Sequence, residues 1–162
     1  MIQIRSLDPN EFPKNADMDR SEHVPLGYRF HNGQLEAEKV DWHIPRWTQD
    51  GVGEFNLGER IEALKAKVQS GAEVFGAFDE DTLVGYAVLR EWISKTMAQL
   101  ADLFVSRNYR RRGVATRLVS EVMNVAREGG AEKWYVSAVP SKSAVAFYLK
   151  CGFEPTHDLH PE

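Results

Sequence analysis

Apolar and polar positions change period along this chain, and each change marks an element. Ile2 and Ile4 alternate with Gln3 and Arg5, a period of two that predicts a first strand ending at Asp8-Pro9. Residues 11–24 are poorly periodic and interrupted by Pro13, so only part of them is expected to be helical. Residues 26–56 are rich in Gly, Pro, Trp and His with no clean period, which predicts a long loop lying by a substrate. At Asn56-Leu57-Gly58-Glu59 a cap residue has an acid three positions on, and Ile61, Leu64 and Val68 follow at helical spacing up to Ser70-Gly71. Apolar runs at 74–78 and 83–89 flank Asp79-Glu80-Asp81-Thr82 and predict an antiparallel hairpin, followed by a strand over 98–105. Val114, Leu118, Val122, Val125 and Ala126 then trace one buried helix face, stopped by Gly129-Gly130. A strand over 134–139 ends at Pro140, Ser141 is placed to cap a helix carrying Tyr148, and 153–157 could add an edge strand.

Length and charge narrow the possibilities. The chain has 162 residues, 43% of them hydrophobic, which suits a single domain over 1–162 with a real core. Its formal net charge of −4 argues against nucleic acid as a partner, despite the local basic run at 107–112. Cys151 is the only cysteine, so no internal disulfide can form. No stretch approaches the roughly 20 apolar residues of a membrane span, and the first residues lack a signal-peptide pattern. The expected location is the cytoplasm, with no membrane partner and a homodimer as the default assembly.

The most informative junction is Arg110-Arg111-Arg112-Gly113-Val114-Ala115, where a strand gives way to the amphipathic helix. A helix start leaves amides without intrahelical partners and carries about half a positive charge, so it is suited to a phosphate group. Gly113 has no Cβ to obstruct that approach. The P-loop spacing G-x-x-x-x-G-K-[ST] is missing, so a different phosphate ligand is implied.

Arg110-x-x-Gly113-x-Ala115 resembles the acyl-CoA pyrophosphate motif [Q/R]-x-x-G-x-[G/A] of the GNAT superfamily of N-acetyltransferases. Ala144-x-x-Phe147-Tyr148-x-x-x-Gly152-Phe153 is similar to that superfamily's second CoA-side motif, at the expected distance downstream. The resemblance covers about a third of the chain. It implies an α+β fold, a mixed and mostly antiparallel sheet with helices on both faces, whose central strands splay apart to admit the pantetheine arm of acetyl-CoA. As co-substrate, acetyl-CoA would lie along Leu103, Phe104 and Val105, then Arg110, Arg111, Arg112, Gly113, Val114, Ala115 and Thr116. Ser141 stands where relatives often carry a cofactor-touching asparagine. Family members commonly end in a further strand, which a chain ending nine residues after Phe153 would supply poorly or take from a partner subunit.

The implied reaction is direct attack of a primary amine, from a small molecule or a peptide, on the acetyl thioester. Tyr148 is the candidate general acid for the leaving thiolate, since a phenol with pKa near ~10 can donate a proton. Some relatives place a basic glutamate on the strand before the turn; here the polar residues are Gln99, which cannot act as a base, and Asp102, which could, directly or through water, although an acid on a strand just as often points to solvent or pairs with a nearby arginine. A silent acyl-CoA-binding or sensor module is the alternative. Trp42 and Trp47 read either as a wall for a cationic substrate or as a lid packed on the core. Cys151, in an apolar helix end, is rejected as a nucleophile. The histidines His23, His31, His43, His157 and His160 show no recognised metal spacing, so no metal is expected, and the last two are expected at the surface.

Overall fold

The computed structural model describes all residues except 51, 52, 54 and 157–162, and at 91–93 it describes the backbone alone. Two compact units result, one of Met1–Arg20 with Pro45–Val136, the other of Ser21–Ile44 with Ser137–Glu162.

The first unit is built on five strands, β1 (Ile2–Ser6), β4 (Glu73–Asp79), β5 (Thr82–Ser94), β6 (Met97–Val105) and β7 (Lys133–Val136), in the spatial order β1-β4-β5-β6-β7. Every neighbouring pair is antiparallel except β6–β7. That parallel pair needs a crossover, which helix α2 (Val114–Glu128) provides. Residues 83–89 of β5 are buried without a break, as expected for a central strand covered on both faces. On one face Tyr86 and Val88 join Phe12, Met18 and Leu64, the last from helix α1 (Leu57–Gln69). On the other, a Cβ at Gly85 would lie 3.4 Å from Val114 and 3.3 Å from Leu118 of α2. Adjacent strand residues point to opposite faces, so α1 and α2 sandwich the sheet.

A register shift between Val88 and Leu89 pairs them with Asp102 and Leu100, which leaves Ala101 as an extra residue on β6. Such a bulge bends a strand and sharpens its twist. Strand β7 pairs with residues 97–100 only. Beyond the bulge β6 continues with β5 on one side and, among the described residues, no strand on the other.

The second unit corrects the sequence expectation. Residues 26–56 do not form one irregular loop: β2 (Glu22–His31) and β3 (Gln34–Ile44) make an antiparallel hairpin. Its turn is Asn32-Gly33, both at positive φ (50° and 76°), the two-residue turn whose twist matches that of its strands. Val24, Leu26, Tyr28 and Phe30 alternate along β2 and Val40, Trp42 and Ile44 along β3, a period which the glycines, prolines and histidines disguised. Ser141 caps helix α3 (Lys142–Lys150) by accepting from Ala144 N–H at 3.2 Å. The hairpin is tied to this segment by Tyr28 N–H donating to Pro140 O at 2.7 Å.

Other expectations shift at their edges. Of residues 11–24 only a 3-10 helix, Pro9–Asp17, forms, because Asp8 and Glu11 cap it reciprocally and Pro13 lacks the donor to extend an α-helix; Val24 lies in β2. The strand expected over 134–139 ends at Val136, and residues 153–156 are not a strand, while 157 lies outside the described residues. The placement expected for His157 and His160 likewise lies outside them. No helix among the described residues is long and apolar enough to cross a membrane.

Glu11 ties this helix to β1. Its carboxylate accepts from Arg5 at 2.8 and 2.9 Å and from Asp8 N–H at 3.2 Å. The Arg5 hydrogen bonds hold its pKa down to about 2 from an ordinary 4.5. A depressed carboxyl stabilises the fold above its unfolded pKa and loses that contribution as pH falls through the folded value. The stability of the wild type should therefore decline from pH 4.5 toward about 2 more steeply than that of Glu11→Gln. Urea midpoints measured across that range check this; parallel curves would remove Glu11 from the account.

Candidate active site

Past the bulge, residues 101–105 of β6 are half-exposed, whereas 98–100 are buried. The open edge therefore offers backbone N–H and C=O groups to a ligand that carries amides. At the end of β6 the chain makes a 3-10 turn, Arg107–Tyr109, fixed by Arg107 N–H donating to Asp19 O at 2.7 Å and by the Tyr109 hydroxyl donating to Asp79 at 2.7 Å.

The three arginines that follow do different things. Arg110 Nε donates to Val105 O at 3.1 Å and braces the turn against its own strand. Arg112 sits 5.3 Å from the Tyr109 ring centroid. Arg111 is exposed, in the left-handed region at φ 62°. Gly113 follows at φ 78°, and no atom lies within 4 Å of where its Cβ would be. The first bond of α2 runs from Arg117 N–H to Gly113 O at 3.0 Å. The amides of Val114, Ala115 and Thr116 thus have no intrahelical acceptor, and Gly113 has no side chain to cap them. Open space, a positive helix end and exposed arginines are the features that suit an anion.

A family model described as "Acetyltransferase (GNAT) family" matches residues 35–153. The chain belongs to the GNAT acetyltransferase family. The resemblance read from the two motifs is thereby borne out, as is the α+β fold with its mostly antiparallel sheet. An uncharacterized N-acetyltransferase of Methanocaldococcus jannaschii is 33% identical over 70 residues, 39% of this chain and 30% of that protein. The chain thus spans less than a third of the length of this relative. Among solved structures, a protein from Bacillus anthracis assigned as a streptothricin acetyltransferase, in complex with acetyl coenzyme A, superposes with TM-score 0.71 at 20% identity, over 93% of this chain and 83% of that one. A nourseothricin acetyltransferase gives 0.68 at 19% identity, over 92% and 81%.

In this GNAT chain the acid expected as a base is already engaged. Asp102 Oδ2 accepts from Lys67 at 2.7 Å and is ion-paired with Arg60 at 2.8 Å, while Oδ1 has no partner among the described residues. Arg60 also donates to the Tyr86 hydroxyl through Nε (2.9 Å) and a terminal nitrogen (2.7 Å). Burial pushes the Tyr86 phenol well above its ordinary range, so it stays neutral and accepts those bonds. Burial also opposes the charge on Arg60, but Tyr86 and Asp102 offset it and leave the guanidinium raised. Pairing of Asp102 with an arginine was one alternative the sequence left open, but its partners Arg60, Lys67 and Tyr86 were not identified. The available signal was Arg60 and Lys67 sharing the face of the fully buried Leu64, cations on the apolar side of a helix.

Trp47 packs edge-on to Phe104 at 6.0 Å, with the Arg20 guanidinium 4.1 Å from its ring, and its indole N–H is buried without an acceptor among the described residues. In the other unit Trp42 lies over Gly27, where a Cβ would approach its Cη2 to 2.9 Å. Ser141 is buried and engaged as the α3 cap, and its hydroxyl is 3.3 Å from that of Ser143. Tyr148 is half-buried between Phe147 (5.2 Å) and Phe153 (5.6 Å). Burial pushes the Cys151 thiol up, which suits a structural role.

Replacing Arg60 by Met should leave Asp102 with Lys67 alone and Tyr86 without its donors. The expected loss is about 3 kcal/mol, typical of breaking a buried pair from one side. Tyr86→Phe, which removes one acceptor, should cost about 1 kcal/mol. Urea denaturation measures both, and equal losses would show that the ion pairs contribute nothing beyond the phenol.

Proposed function

We propose that residues 1–162 act as one acetyltransferase domain that moves the acetyl group of acetyl-CoA to a primary amine on a small molecule. The observation that carries this reading is the half-open edge of β6 leading into the uncapped start of α2. Leu103, Phe104 and Val105 would offer main-chain partners to the pantetheine amides, and Arg110 to Thr116 would hold the pyrophosphate. The bound acetyl-CoA supplies the activated thioester. Solved relatives named for streptothricin and nourseothricin support a small-molecule acceptor.

The acceptor must lose a proton before it attacks. A lysine-like amine with pKa of about 10.4 pays roughly 4.6 kcal/mol at pH 7 to be neutral, an α-amine near ~7.7 about 1 kcal/mol. Asp102 can serve as a base only through Oδ1, because Arg60 and Lys67 occupy Oδ2. This arrangement suits an acceptor that is easily neutralised. It also favours a second reading, binding without turnover, which release of CoA thiol across an amine library would overturn. Trp47, with its unpartnered indole N–H, and Trp42 are assigned to the acceptor. Ser141 is assigned to the cofactor side through the helix start that it caps, and Tyr148 to protonation of the leaving thiolate.

Saturating acetyl-CoA, near 100 times Kd, should stabilise the protein by about 2.7 kcal/mol, a rise in melting temperature of roughly 5–10 °C. Gly113→Val should lose most of that rise, since a branched residue strains at φ 78° and crowds the amides. No shift in the wild type would overturn the cofactor reading. Tyr148→Phe keeps the ring and removes the hydroxyl. Single-turnover acetyl transfer should slow by about 100-fold with acetyl-CoA affinity unchanged; a loss under about fivefold would show that the thiolate leaves unaided.

A further inference from the structure

The β2–β3 hairpin brings together three side chains that the reading above does not use. His23 and His43 are direct cross-strand partners, and Asp41 lies two residues before His43, hence on the same face. His23 Nε2 is 2.8 Å and His43 Nε2 3.1 Å from the same oxygen, Asp41 Oδ1. The two imidazoles are stacked, 4.4 Å between centroids and 9° between planes. All three ligand atoms fall within 4.8 Å of one another. From this convergence we propose that His23, Asp41 and His43 form a binding site for a first-row divalent cation of the zinc type.

The ligand-atom separations are close to what such an ion requires, and binding would turn the stacked, exposed rings so that both Nε2 lone pairs meet at one point. Bonds of about 2.0–2.1 Å in a tetrahedron place neighbouring ligand atoms roughly 3.3 Å apart. The two nitrogen–oxygen separations, 2.8 and 3.1 Å, are within about half an ångström of that figure. Two imidazoles and one carboxylate are borderline donors, suited to zinc, nickel or copper and not to magnesium or calcium, which prefer all-oxygen shells. The trio is exposed, whereas the alternate residues Val24, Trp42 and Ile44 are wholly or partly buried. The packing of this unit therefore does not require polar residues here, and exposed hydrogen bonds of this kind contribute little by themselves. Three protein ligands leave one position open to water.

The place of the site in the hairpin gives it a consequence. His23 and His43 stand one step from the terminal pair Glu22 and Ile44, at the end opposite the Asn32-Gly33 turn. A bound cation would join the two strands where no turn does. Sequence spacing hid the site because its ligands are divided between two strands, so the expectation of no metal rested on a pattern that only contiguous motifs obey.

The test is calorimetric titration of the full, untagged and metal-stripped chain with zinc. One equivalent should bind, and magnesium at the same concentration should not. His23→Gln, Asp41→Asn and His43→Gln should each weaken zinc binding by at least about tenfold, the loss that even outer partners of a metal site produce. His31→Gln, at the turn end, should bind as the wild type does. In the unaltered protein, cobalt should give the intense visible absorption of a four-coordinate site. Absence of stoichiometric zinc binding, retention of full affinity by the folded variants, or a weak six-coordinate cobalt spectrum would each overturn the assignment.

Discussion

Strand β6 keeps β5 as a neighbour along its length but loses β7 after Leu100, and this leaves one edge of β6 open, on which the proposed cofactor site depends. The pairing stops where β7 ends at Val136 and where Ala101 adds an extra residue to β6, a bulge of the kind that bends a strand away from its partner. A sheet edge exposes main-chain donors and acceptors that must be satisfied by something. Here the edge runs directly into the uncapped start of α2, so the groups a cofactor needs occur in sequence along one stretch of backbone. Gly113 and Arg111 adopt left-handed conformations in the same turn, and Arg110 fastens it to Val105.

The bulge is flanked by charge. Asp102, the residue after Ala101, is held by Arg60 and Lys67 from α1, and Arg60 reaches Tyr86 on β5. One guanidinium thus links a helix to two adjacent strands beside the point where β6 diverges. Burying such a group costs several kcal/mol unless every partner is in place, so the network fixes the position of α1 more narrowly than apolar packing would. It also explains why an acid on the strand before the turn is poorly placed to act freely as a base.

The hairpin of the second unit follows a local logic. Asn32-Gly33 sets its turn, Trp42 covers the bare backbone of Gly27, and alternation leaves His23, Asp41 and His43 together on the open face. The two residues that accept unusual φ and close approach are glycines in both cases, one at the turn and one beneath an indole.

Much of the first unit was legible because its signals are local. Continuous apolar runs at 74–78 and 83–89, the helical stripe from Val114 to Ala126, and the Arg-Gly turn between strand and helix depend on neighbours a few residues apart, and the two motifs identified the family. The hairpin was missed although its turn dipeptide is explicit, because composition outweighed period in a segment rich in loop-forming residues. By itself the sequence determined the order of most elements and the uncapped glycine at the α2 start. Only the tertiary structure decided that Asp102 is shared by two cations, that the β7 pairing stops beside Ala101, and that His23 faces His43. Each of these joins residues far apart in the chain, and register and burial, which set such meetings, are properties of the folded whole.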